Sequence, residues 1–154
     1  MGLCCSRTCL EGDVYYYFDS CKSPNVKEVR EVPAKQSLYI RLGGEAAINA
    51  AVDLFYVKVL ADVKLAPFFK GQDMERLKGH QRRFMSMAFG GNVKYSGKSI
   101  ADAHAHMIKG AGLNALHFDL VAGHLVSTLA QLGVSQDLIN EVVAVVGPLR
   151  SIFE

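Results

Sequence analysis

The run Met74–Met107, MERLKGHQRRFMSMAFGGNVKYSGKSIADAHAHM, decides the fold. Its first half is helical in pattern: Leu77, Gln81, Phe84 and Ala88 recur at spacings of four, three and four, so they share one face. Such a face should be apolar, yet Gln81 sits in it and His80 flanks it. Gly90-Gly91 stops the helix, because glycine enters the left-handed cap conformation without a side-chain clash. A loop with Tyr95, Ser96 and Gly97 follows. A short segment then carries Ile100, His104 and Ile108 on one helical face.

Two histidines on two helices, beside apolar faces and joined by a glycine-rich loop, suit a flat cofactor held between the helices. Haem iron is commonly held by one proximal histidine, with polar donors opposite it deciding what binds there. The same spacing also fits two histidines near a core, each satisfied by a backbone carbonyl. Spacing alone leaves both readings open.

Outward from this run, the composition bounds the answer. A chain of 154 residues predicts one domain, and half of its residues are hydrophobic, enough for a sizeable core. The net charge of +2 is small and spread out, which gives no footprint for nucleic acid. No apolar run approaches the length that spans a bilayer. The four cysteines, Cys4, Cys5, Cys9 and Cys21, all precede Gln36, and no hydrophobic signal segment accompanies them. A reduced, cytoplasmic setting is expected. Paired CxxC spacing is missing, which argues against a zinc site.

Residues 1–36 read as an irregular extension without helical period, and residues 37–154 as the globular domain. The short apolar tract Val14–Phe18 is either a strand or a segment packed on that domain. Met1 to Ser6, MGLCCS, fits the N-myristoylation pattern, with Gly2 exposed once the methionine is removed. Cys4 and Cys5 beside it are candidate palmitoylation sites. One acyl chain binds membranes marginally and two signals anchor stably, so this pattern predicts attachment to a membrane surface.

Ser37 caps a short helix to Leu42, which Gly43-Gly44 ends. A helix over 45–63 follows, with Ile48, Val52, Phe55 and Val59 as its buried stripe and Tyr56 at the stripe's edge. Pro67 breaks the chain's helical course, and one of Phe68 and Phe69 is expected in the core. The helix bearing His104 is expected to be short and poor, since Gly97, Gly110 and Gly112 flank it. His106 points away from His104. A helix over 114–131 buries Phe118, Val121, Leu125, Leu129 and Leu132, leaving His117 and His124 on its flank as structural residues. Ser135 caps a last helix that buries Ile139, Val142, Val143 and Val146, and Pro148 ends or kinks it. The class is all-α, without internal repeat.

The separated pieces Leu38-Tyr39, Arg41 to Gly44, Phe55-Tyr56, Val59-Leu60, Ala66 to Phe69, Arg76 to Gln81, Ala88 to Gly91, Tyr95 to Gly97, Ala103-His104 and His117-Phe118 occur together in order. In this the chain closely resembles the truncated haemoglobins, group I branch, over roughly residues 37–150. The resemblance implies a two-over-two helical sandwich around haem b. It implies His104 as proximal iron ligand and Phe69 stacked on the porphyrin. It implies a distal face of Tyr56, Leu77, His80, Gln81 and Phe84, with His80 able to act as a second iron ligand. Tyr56 and Gln81 become the donors that stabilise dioxygen, which carries partial negative charge when held at the iron. Leu77 departs from relatives with glutamine there, which makes that side of the pocket drier.

Two functions follow as expectations. One is binding of dioxygen and nitric oxide, with nitric oxide dioxygenase activity supported by a separate electron-donating reductase, since the chain carries no flavin or nicotinamide domain. The other is a membrane-tethered gas or redox sensor, or electron carrier, with a six-coordinate bis-histidine haem. A monomer is expected in either case.

Overall fold

The structure, a computed structural model, describes residues 36–154, all of whose regular elements are helical. The tract 14–18 and the acylation pattern at Gly2, Cys4 and Cys5 lie outside the described residues. Among the described residues no helix is long and apolar enough to cross a membrane.

Six α-helices run in order: α1 (Leu38–Arg41), α2 (Gly44–Ala61), α3 (Met74–Ala88), α4 (Ile100–Ala111), α5 (Ala115–Gln131) and α6 (Gln136–Val146). Two 3₁₀ segments, Ala66–Phe69 and Gly147–Phe153, complete them. Helix α2 is the centre, packed against α3 on one flank and α5 on another, while α5 also packs on α6. The contacts of α2 with α3 and of α5 with α6 fit the two-over-two sandwich that the resemblance implies.

The reason lies in α2's stripe. Ile48, Val52, Phe55 and Val59 are all buried, joined by Ala51 and Tyr56, and they meet Met85, Leu129, Ile139 and Val142 in one core. Fully burying such side chains stabilises by roughly 1.5–3 kcal/mol each. Charges lock the flanks: Asp53 of α2 takes Lys78 at 3.1 Å and Arg82 at 2.8 Å from α3. Arg41 forks onto Glu141 of α6 at 2.7 and 2.5 Å, closing α1 onto the last helix.

Several local expectations change. Helix α2 stops at Ala61, two residues early, because Asp62 turns extended and its carboxylate accepts the Lys64 backbone N–H at 2.9 Å. Tyr56 is not at an edge but buried, 4% exposed. Leu132 and Val143, assigned to buried stripes, are each 43% exposed. Apolar atoms make up much of any protein surface, so an apolar residue at a permissive spacing does not have to be buried. Helix α4 is a full three turns rather than a remnant. Ser99 caps it, accepting from Asp102 N at 3.1 Å and donating to its carboxylate at 2.6 Å, and Gly112 closes it in the left-handed conformation. Pro148 behaves as expected: α6 ends at Val146 and the chain continues as a 3₁₀ segment.

Candidate haem site

Helix α4 sets His104. The imidazole Nδ1 lies 2.8 Å from the Ile100 carbonyl oxygen, one turn back on the same helix. A neutral ring donating from Nδ1 leaves Nε2 as its free lone pair, the state in which histidine ligates iron. The ring is half-buried and meets Phe153 edge-on, centroids 5.4 Å apart, while Phe153 stacks on Phe118 at 5.3 Å. The histidine is thus fixed by its own helix and by the C-terminal 3₁₀ segment.

Helix α2 sets Tyr56. Its ring stands edge-on to Phe55 at 5.1 Å and to Phe69 at 5.9 Å. Burial alone pushes its pKa up to about 12, and among the described residues no hydrogen bond to the hydroxyl offsets that desolvation. The hydroxyl is not fully enclosed, since Arg82 Nε is the one enclosed and unpaired side-chain polar atom among the described residues, so the Tyr56 oxygen opens onto space where a ligand can meet it.

Helix α3 carries Leu77, Gln81 and Phe84, all half-buried, with Leu77 and Phe84 packed on the core. His80 is exposed on its flank. The neighbouring Gly79 has open space where a Cβ would stand, so nothing packs against that point of the helix. Phe84 also holds the loop to α4, its ring 5.8 Å from Tyr95. Tyr95 in turn donates to the Lys98 carbonyl at 3.2 Å and covers Gly97 so closely that a Cβ there would lie 2.3 Å from the phenol.

The fold therefore brings Tyr56 and Phe69 into contact and puts Leu77, Gln81 and Phe84 on the half-buried side of α3. Of the phenylalanine pair, Phe69 joins the core, whereas Phe68 leans on His117 at 5.0 Å. His117 and His124 are structural, as expected. His117 closes a capping box with Asn114, and His124 Nε2 meets Asp62 at 2.9 Å. Sequence reading missed Phe153, which follows the last periodic helix and carries no spacing signal. It also missed the Ile100 carbonyl, which the four-residue offset from His104 could have indicated.

The donor set fits haem: one imidazole whose Nδ1 is taken by its own helix, aromatic walls, and a hydroxyl on a buried ring that has no hydrogen-bond partner among the described residues. Among the described residues no cluster of three or more His, Cys, Asp or Glu offers a metal site of another kind. These features define a helical haem-binding protein of the globin class.

Comparison with known proteins makes that narrower. The bacterial-like globin family matches residues 37–153. The group 1 truncated hemoglobin GlbN of Synechocystis is 46% identical over 111 residues, 72% of this chain and 90% of the relative. That of Tetrahymena pyriformis is 45% identical over 75% of this chain and 92% of the relative. Among solved structures, the 2/2 hemoglobin from Synechococcus, in the cyanomet state with covalently attached heme, superposes with a TM-score of 0.74 at 48% identity. It covers 77% of this chain and 98% of its own. The chain belongs to the bacterial-like globins, as a group 1 truncated haemoglobin. Membership implies haem iron and the binding of diatomic gases such as dioxygen at it.

Proposed function

We propose that this globin holds haem b through His104 Nε2, binds dioxygen and nitric oxide opposite it, and removes nitric oxide as nitrate. The haem supplies an iron with one open position for a diatomic gas. Phe69 lines the haem face, and Leu77 and Phe84 exclude water from it. The Tyr56 hydroxyl and the Gln81 amide donate hydrogen bonds to a gas ligand bearing partial negative charge. The Tyr56 ring, buried edge-on to Phe69 with a hydroxyl that has no hydrogen-bond partner among the described residues and still opens onto accessible space, is the observation that carries this reading. Dioxygen, nitric oxide and one electron give nitrate, and the electron comes from a separate flavin or nicotinamide reductase. Protein loaded with ferrous haem and oxygenated should yield about one nitrate per haem when given nitric oxide, the iron supplying the electron and ending ferric, and should turn over repeatedly with a reductase. Nitrate production no greater than in buffer overturns the activity.

His80 supports a second reading, a sensor or electron carrier with two histidines on the iron. It stands on the flank of the haem-facing stripe, and the open space around Gly79 leaves α3 free to draw inward there. Coordination would lower the apparent affinity for gases in proportion to the time the site is closed. The expected ferric spectrum is low-spin and becomes high-spin in His80→Leu; a high-spin wild type removes this reading.

We also propose that residues 1–36 form an extension to the globin domain 37–154, myristoylated at Gly2 and palmitoylated at Cys4 or Cys5. This brings a cytoplasmic protein to a membrane surface. The MGLCCS pattern supports it. The intact mass of protein from its native cells should carry both additions, and an unmodified Gly2 refutes the idea.

A further inference from the structure

A cleft of about 450 Å³, lined by neither Tyr56 nor His104, lies where three parts of the fold converge. The connection after α2 supplies Lys64, Phe68 and Gln72, α4 supplies His106 and Met107, and the first turn of α5 supplies His117. Each of the four polar side chains can donate a hydrogen bond, and Lys64 is a full positive charge. Among the described residues no carboxylate lines the cleft. Asp62, the acid nearest Lys64 in sequence, is already held by His124. Among the described residues Lys64 has no ion-pair partner.

His117 is fixed for this task. Its Nδ1 is held at Asn114, 3.3 Å from the backbone nitrogen and 3.0 Å from Oδ1, which leaves Nε2 as the ring nitrogen without a partner among the described residues. The Phe68 ring, edge-on at 5.0 Å, sets the plane of the imidazole. Phe68 and Met107 add an apolar part to the lining, and His117 belongs to the first turn of a 17-residue helix, where the backbone dipole favours negative charge.

We propose that this cleft binds a phosphoryl group, with Lys64, Gln72, His106 and His117 as its donors. The several donors suit an oxyanion that accepts many hydrogen bonds, rather than a halide. The cleft is larger than inorganic phosphate alone needs, and the apolar part of its lining suits the body of a phosphate monoester. The site stands on the cleft itself and does not depend on which side chains hold the haem. Occupation would bridge α4 to the Phe68 segment and to α5, two residues along from His104.

The test uses the full-length, haem-loaded protein as its diamagnetic ferrous carbon monoxide complex. Imidazole resonances are followed while inorganic phosphate, phenyl phosphate or adenosine monophosphate is added at constant ionic strength, with sodium chloride as control. The expected result is a saturable shift of His106 and His117, with His124 unmoved and half-saturation near 1 mM for phosphate. Tighter binding of phenyl phosphate than of phosphate assigns the apolar part of the lining to an apolar body. Tighter binding of adenosine monophosphate than of phenyl phosphate assigns it to a nucleotide, and equal binding of all three assigns the site to free phosphate. Lys64→Ala should weaken binding by up to about five-fold, the range of an exposed charge pair, and Lys64→Arg should restore it. Shifts that do not saturate, that sodium chloride reproduces, or that are the same in Lys64→Ala overturn the proposal.

Discussion

The two sides of the candidate site are held by different means. The α2 side rests on burial: six of its side chains are buried, and α3 and α5 clamp it. Helix α4, which carries His104, has no fully buried residue. It is held by caps at both ends, by the His104 bond to Ile100 and by the Phe153 ring. One wall is therefore specified by packing and the other by a few directional contacts. Packing is cooperative and hard to displace, whereas a helix fixed at points can shift by small amounts without disturbing the core.

The largest expected effect falls on the point-fixed wall. His104→Ala should lose haem altogether, read as the loss of the haem absorption band after gel filtration, while the helical circular dichroism of the apoprotein persists. A normal haem spectrum in this variant removes His104 as the ligand. Next comes the contrast in packing. Phe55→Ala should cost about 3–5 kcal/mol in urea unfolding of the apoprotein. Ile108→Ala, on half-buried α4, should cost about 1 kcal/mol. Equal losses would erase the difference between the walls.

Tyr56→Phe tests the hydroxyl of this buried ring in two directions. Dioxygen release should quicken about ten-fold or more, as expected for loss of a hydrogen bond worth roughly 1.5–3 kcal/mol. The apoprotein should be no less stable, because the lost hydroxyl had no protein partner. Slower unfolding of the wild type together with unchanged release would assign Tyr56 to structure alone. Ser99→Ala, which removes the α4 cap, should cost about 1 kcal/mol and should speed amide exchange in the first turn of α4.

The smallest effect is a pH dependence at the packed wall. The hydrogen bond from His124 holds the Asp62 carboxyl below its usual range, helped by the Lys64 backbone N–H. A depressed folded-state pKa gives stability that is present above the unfolded value, near pH 4, and lost as pH falls through the folded value. The difference in Tm between the wild type and Asp62→Asn should therefore be greatest near neutrality and vanish toward pH 3. A difference independent of pH would show that the carboxylate's charge contributes nothing.

The packed wall was also the legible one. Ile48, Val52, Phe55 and Val59 announce α2 because burial along a helix repeats every three or four residues, and the structure buries all four. The period says nothing about which apolar residue at a stripe's margin finds a neighbour. Tyr56 went in, and Leu132 and Val143 stayed out. Helix α4 was under-read because its glycines lower propensity, while the Ser99–Asp102 exchange and the Gly112 closure act through single hydrogen bonds. At the site, the family motifs carried His104, Tyr56 and Gln81, but a contact such as Phe153 on His104 joins residues far apart in sequence. No local spacing encodes it.

That contact has a thermodynamic meaning. A ligand that binds only the ordered arrangement adds its binding free energy to the stability of every segment that arrangement requires. On the proposal that His104 holds the haem, its contact with Phe153 draws the segment Gly147–Phe153 into the haem's linkage, although it lies beyond the last α-helix. Cofactor supply then acts as a control on local order. On that proposal the C-terminal turn should open more often than the α2 core in the apoprotein and close as haem is added, which amide exchange would read.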